Sequence, residues 1–228
     1  MIAIVPARGG SKGLPGKNIK DFHGKPLIAY TIIEALKSKS IDDIIVSTDN
    51  QEIADIAQQY GAKNLFLRPD SLATDTALAV DNYIYTVDRL NKEFNYHIKD
   101  FSVLLPTSPL RIADDIDNAV ELFYKKNADS VVSYTEEARP VIWHKYLDPE
   151  GRFVPIFQDE LKNRQDYKLS YYPDGAVYVF KFDLIKKKLY YSENSYAYVI
   201  PKERSSDIDN IEDFEYAEFL YSKRISKK

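Results

Sequence analysis

The sequence predicts an α/β protein with a mostly parallel central sheet covered by helices on both faces. Three observations lead there. Short apolar runs alternate with amphipathic stretches through the first two-thirds of the chain, the pattern of strands joined by helical crossovers. The first apolar run passes straight into a loop rich in glycine and cations, at the strand end where open α/β sheets carry ligands. From about Thr135 the alternation stops, and charge, proline and aromatic residues mix without a period. An inserted arm is therefore expected over residues 135–195 of a single 228-residue domain.

Taken in order, Ile2 to Val5 reads as a buried strand and Leu27 to Leu36 as a helix with apolar residues at helical spacing. Ile44 to Val46 is a second, β-branched strand. Glu52 to Tyr60 reads as a helix with Asn50 as N-cap and Gly61 past its end. Leu65 to Leu67 reads as a third strand, Thr76 to Leu90 as a helix and Phe101 to Leu105 as a fourth strand. Ile112 to Tyr124 is helical, and Ser130 to Tyr134 is a fifth strand. Inside the arm, Val141 to Trp143 suits a hairpin strand, and the tyrosine-rich Tyr190 to Tyr198 suits core or an oligomer contact. Gly175 to Phe180 returns to strand pattern, Ile211 to Leu220 closes as an amphipathic helix, and Ser226-Lys227-Lys228 reads as a frayed tail.

Composition narrows the function. The net charge of -4 argues against a nucleic-acid coat or an anionic membrane surface. The absence of cysteine excludes disulfides, thiolate metal sites and cysteine nucleophiles, and fits a reducing compartment such as the cytoplasm. His23, His97 and His144 have no ligand-like spacing, so a zinc site is not expected. No apolar run approaches the ~20 residues of a membrane span, and the N-terminus lacks the basic region of a signal peptide.

The loop after the first strand carries the chemistry. Glycines fall at 9, 10, 13 and 16, half of the chain's eight. Such spacing lets backbone N–H groups turn toward an anion. Arg8, Lys12 and Lys17 add cations with no acid between them, and Ser11 and Asn18 add neutral hydrogen-bonding groups. A triphosphate needs this combination of charge and directional donors. Ser11 and Asn18 stand where a Walker loop needs Gly and Ser or Thr, and the glycine spacing is not that of a dinucleotide fingerprint. A flexible, solvated basic loop is the plain alternative.

Other polar clusters fall at strand ends. Ser47-Thr48-Asp49-Asn50 and Thr74-Asp75-Thr76 suit a site edge or simple helix caps. Arg68 stands before Pro69, which fixes a turn. Leu105 to Arg111 makes a stiff bend with two prolines, two hydroxyls and an arginine. Asp207 and Asp209 flank Ile208; on an extended stretch both carboxylates share one face, as a hard cation such as Mg²⁺ would require, and a solvated acidic turn is the alternative.

Together these segments resemble the acylneuraminate cytidylyltransferase family, the CMP-sialic acid synthetases. The matching pieces are Pro6 to Gly13 with Lys17-Asn18, Ser47-Thr48-Asp49, Leu67-Arg68-Pro69, Leu72 to Thr76, Pro106 to Arg111, Arg164-Gln165, Gly175-Ala176 and Asp207-Ile208-Asp209. They follow the family's order and span nearly the whole chain. The resemblance implies a three-layer α/β sandwich of the nucleotide-diphospho-sugar transferase type. It implies a homodimer whose arm reaches across to the partner, CTP as donor and Mg²⁺ as cofactor. Carried over by position, it implies that Arg8, Gly9, Gly10, Ser11, Lys12 and Lys17 hold the triphosphate. Asn18, Arg68, Ala77 and Ala79 would surround the cytidine. Leu105, Thr107, Ser108, Arg164, Gln165 and Asp174 would lie on the sugar side, and Asp207 and Asp209 would bind the metal. Arg8, Lys17 and Asp209 would carry catalysis.

The chain departs from the sialic-acid pattern on the sugar side. Leu105 replaces a glutamine, Ile142 a lysine, and Asp174 the asparagine of Asn-Gly-Ala. Losing a donor and a cation while gaining an anion weakens the fit to N-acetylneuraminate. A sialic-acid-like nonulosonic acid remains the expected acceptor, because Arg164 can still pair a carboxylate; legionaminic acid is one such acid. Another nucleotide or sugar phosphate, or a non-catalytic nucleotide-binding module, are the alternatives.

Overall fold

The computed structural model describes residues 1–158 and 162–226. Lys227 and Lys228 of the expected frayed tail, and residues 159–161 of the expected arm, lie outside the described residues.

Strand β1 (Ile2–Pro6) leads into the glycine-rich loop, which ends in a 3-10 turn at Lys17–Ile19 and a small hairpin of β2 (Asp21–Phe22) and β3 (Lys25–Pro26). Then come α1 (Leu27–Lys37), β4 (Asp43–Ser47), α2 (Gln51–Gln59), α3 (Ala79–Glu93), β5 (Asp100–Val103), α4 (Ala113–Lys126) and β6 (Ser130–Glu136). The remainder comprises β7 (Lys145–Leu147), β8 (Phe153–Pro155), β9 (Tyr171–Lys181), α5 (Phe182–Lys186), β10 (Ser195–Val199) and α6 (Ile211–Ile225).

Six strands form the central sheet in the order β10-β6-β9-β5-β1-β4. Only β9 runs against its neighbours; the β10–β6, β5–β1 and β1–β4 pairs are parallel. The sheet is buried on both sides, which is why its strands read as continuous apolar runs. In β1 the side chains alternate between two cores. Ala3 and Val5 pack with Ile28, Ile32 and Ile116 of α1 and α4, whereas Ile2 and Ile4 pack with Val80, Val87 and Leu90 of α3. This is the expected three-layer arrangement. A third cluster joins Leu14 of the glycine-rich loop, Phe22, Leu27, Ile208 and Phe214 of α6.

The chain leaves β1 for β4 on one side and returns to β5 on the other. The carboxyl ends of β1 and β5 therefore meet at a switch point, where the connecting loops diverge and open a crevice.

Several elements differ from expectation. Leu65–Leu67 is not a strand. One bridge joins Lys63 to Ile45, and beyond it the Asn64 side chain donates to the Val46 carbonyl at 3.0 Å, taking an acceptor that a ladder would use. Val141–Trp143 is a 3-10 turn, and a hairpin is formed by β7 and β8 instead. Helix α3 starts at Ala79 rather than Thr76, with Leu78 at its N-cap. The tyrosine-rich stretch supplies the edge strand β10. Asn50 caps α2 as expected, its side chain accepting from Ile53 N at 3.0 Å.

Candidate functional site

Two adjoining cavities open at the switch point. The larger, about 490 Å³, is lined by Arg8, Ser11, Lys12, Gly13, Lys17, Asn18, Thr107, Asp207 and Asp209, among others. The smaller, about 260 Å³, is lined by Arg68, Leu72, Thr74, Ala77, Leu78 and Asn82, among others. Pro6, Arg8, Ala79 and Leu105 line both.

The acidic segment is held from two sides. Ile208 is fully buried in the third core cluster, so its neighbours turn outward, as alternation on an extended stretch requires. Ile208 N donates to the Thr107 carbonyl at 3.0 Å, tying the segment to the proline bend after β5. From the loop, Lys17 Nζ donates to the Ile208 carbonyl at 2.5 Å and lies 3.4 Å from Asp209 Oδ1. Gly13 is needed at this junction, because a Cβ there would stand 2.3 Å from the Asp209 carbonyl oxygen. Gly175 meets the segment from below; its φ is 77°, and a Cβ would stand 3.3 Å from Asp207 Oδ2.

Each cation of the site has an acid, and none comes from the loop itself. Arg8 and Lys12 share Asp75, at 3.1 and 2.6 Å. Lys17 faces Asp209, and Arg68 Nη2 lies 3.5 Å from Asp49 Oδ1. Asp49 also accepts from Gly9 N at 3.1 Å, so it braces the loop rather than capping a helix. Asn18 closes the loop by donating to the Arg8 carbonyl at 2.9 Å. Arg68 is buried, and that burial pushes its guanidinium pKa down while Asp49 opposes. The Asp75 carboxyl is held below its usual value by Lys12 and then by Arg8. Burial pushes the Asp207 carboxyl up, Asp209 adds to the rise, and the Thr107 hydroxyl and Lys17 oppose it.

Other residues on the sugar side lie elsewhere. Ser108 is fully buried, its hydroxyl 3.4 Å from the Asp174 carbonyl oxygen, and does not open onto the cavity. Asp174 is 2% exposed; its carboxylate turns inward to Ser133 Oγ at 2.5 Å and Ala176 N at 3.1 Å. Arg111 is buried as well, donating to Thr31 Oγ1 at 2.5 Å and to the carbonyls of Leu105 and Ala176. It pins the bend to α1 and β9 from beneath, and burial pushes its pKa down to about 10. Arg164 and Gln165 are exposed residues ahead of β9, and Arg164 Nη2 donates to the Ala138 carbonyl at 2.6 Å. Within one chain they line neither cavity.

Asp75, Asp49 and Gly13 are the site residues whose roles the sequence reading missed. The signal was indirect: cations without a neighbouring acid need counter-charge from another segment. Among the described residues no group of three or more His, Cys, Asp or Glu could hold a metal. Asp207 and Asp209 are the carboxylate pair available to a hard cation, and with so few protein ligands such an ion relies on phosphate oxygens and water. Nor is any helix among the described residues long and apolar enough to cross a membrane.

Comparison with known proteins places the chain in a family. A family model described as Cytidylyltransferase matches residues 2–226. The chain is 40% identical to a CMP-N,N'-diacetyllegionaminic acid synthase of Legionella pneumophila, over 96% of this chain and 95% of that protein. It is 34% identical to a pseudaminic acid cytidylyltransferase of Campylobacter jejuni, over 96% and 95%. An N-acylneuraminate cytidylyltransferase of Escherichia coli is 36% identical, and this chain spans 54% of its length. Among solved structures, a CMP:2-keto-3-deoxy-manno-octonic acid synthetase complexed with CTP shares the fold, with a TM-score of 0.72 and 16% identity over 98% of each chain. The chain belongs to the cytidylyltransferase family, that of the CMP-sialic acid synthetases, and is a CTP-dependent enzyme that transfers CMP to a sugar.

Proposed function

We propose that the acceptor is a nonulosonic acid, whose hydroxyl takes CMP from CTP with release of pyrophosphate. One arrangement carries this reading. A cavity with Arg8, Lys12, Lys17 and the Asp207–Asp209 pair adjoins a smaller one holding Arg68 and Ala77. The first suits a triphosphate and a divalent ion; the second suits a base and ribose.

In this reading, Arg8, Ser11, Lys12 and Lys17 bind the triphosphate, with the backbone of Gly9 and Gly10 beside it. Asn18, Arg68, Ala77 and Ala79 surround the nucleoside. Thr107 and Leu105 border the acceptor, whose oxygen forms a bond to the α-phosphorus as the bond to the β-phosphate bridging oxygen breaks. The hydroxyl proton passes to water, and the electron pair of the broken P–O bond leaves with pyrophosphate, whose charge Arg8 and Lys17 offset. Asp207 and Asp209 would hold Mg²⁺. The fit is good: two hard oxygen donors share a face, glycine at 175 leaves space beside Asp207, and mutual repulsion of the pair is relieved by a dication. When bound, such an ion polarises phosphoryl oxygens and promotes ionisation of a coordinated hydroxyl.

The arm is read as a dimer contact. Trp143, Tyr146, Leu147, Phe153, Val154 and Phe157 are exposed on it, more apolar surface than a solvated arm carries without a partner. Dimerisation would let Arg164 serve the partner's acceptor pocket. A cysteine-free CTP-dependent enzyme fits the cytoplasm.

The test is pyrophosphate release across the four nucleoside triphosphates with N-acetylneuraminic, N,N'-diacetyllegionaminic and pseudaminic acids. Turnover with CTP and one diacylated nonulosonic acid is expected. Turnover only with a sugar phosphate, or with another nucleotide, would overturn the reading. Leu105, apolar and bordering both cavities, favours an acceptor with an apolar substituent there.

A further inference from the structure

Asp75 pairs two cations of the site but takes no part in the substrate contacts proposed above. Its two carboxylate oxygens are divided between two cations: Oδ1 lies 3.1 Å from Arg8 Nη2 and Oδ2 lies 2.6 Å from Lys12 Nζ. Arg8 Nη1 also donates to the Thr74 carbonyl at 3.2 Å. The glycine-rich loop is thus fastened to residues 73–78, a stretch without helix or strand. Thr74, Ala77 and Leu78 of that stretch line the smaller cavity. Asp75 is not a helix cap, since α3 begins at Ala79 with Leu78 at the N-cap and no side-chain cap bond.

We infer that Asp75 is a displaceable counter-ion: it holds Arg8 and Lys12 as an internal substitute for a phosphate and releases them, with residues 73–78, when a polyphosphate takes both. The inference rests on the assignment of the triphosphate to Arg8 and Lys12. A phosphate oxygen that takes either cation competes with this carboxylate for the same donors. The exchange is easy, because Lys12 and Asp75 are solvent-exposed and exposed ion pairs hold weakly. It also favours highly charged ligands. One carboxylate carries a single negative charge for two cations, and a polyphosphate supplies more than one, whereas a phosphodiester supplies no more than Asp75 does. Pyrophosphate competes for the cations as the triphosphate does, so the carboxylate retakes them once pyrophosphate has left. It also links the two cavities, since occupation of the phosphate cations unties a wall of the nucleoside pocket.

The experiment is calorimetric titration of the full chain with inorganic tripolyphosphate, for wild type, Asp75→Asn, Asp75→Ser and Arg8→Ala. Both neutral variants at 75 should bind about three- to tenfold more tightly than wild type, with a gain that shrinks as salt is raised. KM for CTP should fall while kcat does not rise, and pyrophosphate should inhibit more strongly. A merely structural role predicts the opposite, a loss of binding with a lower melting temperature. Arg8→Ala should lose affinity. If it does, and neither neutral variant at 75 binds more tightly, the counter-ion role is overturned while the triphosphate assignment stands. If Arg8→Ala binds as wild type does, the triphosphate assignment fails and the counter-ion role fails with it.

Discussion

Lys17 Nζ donates to the Ile208 carbonyl at 2.5 Å and lies 3.4 Å from Asp209 Oδ1, joining residues far apart in the chain at one point. The ammonium is nearly buried, at 9% residue exposure. It therefore fixes the position of the acidic segment, and under the proposed function it would also offset charge on the leaving group. Lys17→Ala should fold, because neighbouring cluster members Leu14 and Ile208 remain packed, and should lose on the order of 10²-fold or more in kcat. Near-wild-type turnover in a variant with an unchanged melting curve would remove Lys17 from catalysis.

Gly13→Ala tests the same junction without removing a functional group. The added Cβ would stand 2.3 Å from the Asp209 carbonyl oxygen, so backbone must move. A displacement of about 1 Å at a reacting site costs up to about 10²-fold in rate. Steady-state kinetics should show a drop in kcat of at least about tenfold and a higher Mg²⁺ requirement, with a melting temperature close to wild type. Full activity at the wild-type Mg²⁺ requirement would show that the loop absorbs the methyl.

Asp174 makes stability depend on pH. Burial raises its carboxyl above the usual range, against the pull of Ser133, Ala176 and Arg111. Between the unfolded value near 3.9 and the raised folded one, the folded state holds more protons. This contribution to stability is thus fully present below the unfolded value and is lost as pH rises through the folded pKa. Asp174→Asn carries no charge at any pH. It should melt higher than wild type at pH 7, and the difference should close as pH falls toward 4. A lower melting point at pH 7 would mean that Arg111 needs the charge more than burial penalises it.

Arg164→Ala should divide the two substrates. If the arm delivers Arg164 to a partner's acceptor pocket, KM for the acceptor rises roughly tenfold or more while KM for CTP holds, and sedimentation still reports a dimer. An equal rise in both, or no change, would place Arg164 outside acceptor binding.

The sequence by itself determined the α/β class, the place along the chain of five of the six central-sheet strands and the concentration of glycine and cations in Pro6 to Asn18. These are local properties: apolar period, capping at Asn50 and the density of glycine and cations are all written in consecutive residues. Alternation around Ile208 likewise placed Asp207 and Asp209 on one face. Tertiary structure decided what these groups meet. Asp75 and Asp49 each look like caps in sequence, yet they neutralise Arg8, Lys12 and Arg68 across the crevice. Ser108, Arg111 and Asp174 look exposed beside a proline bend or a glycine, yet they turn inward, because the bend crosses β9 and its polar groups must find partners beneath it. Leu65–Leu67 has strand composition, but the Asn64 side chain takes the acceptor a ladder would have used. Charge pairing and hydrogen-bond competition act between segments distant in the chain, so no window of sequence contains them.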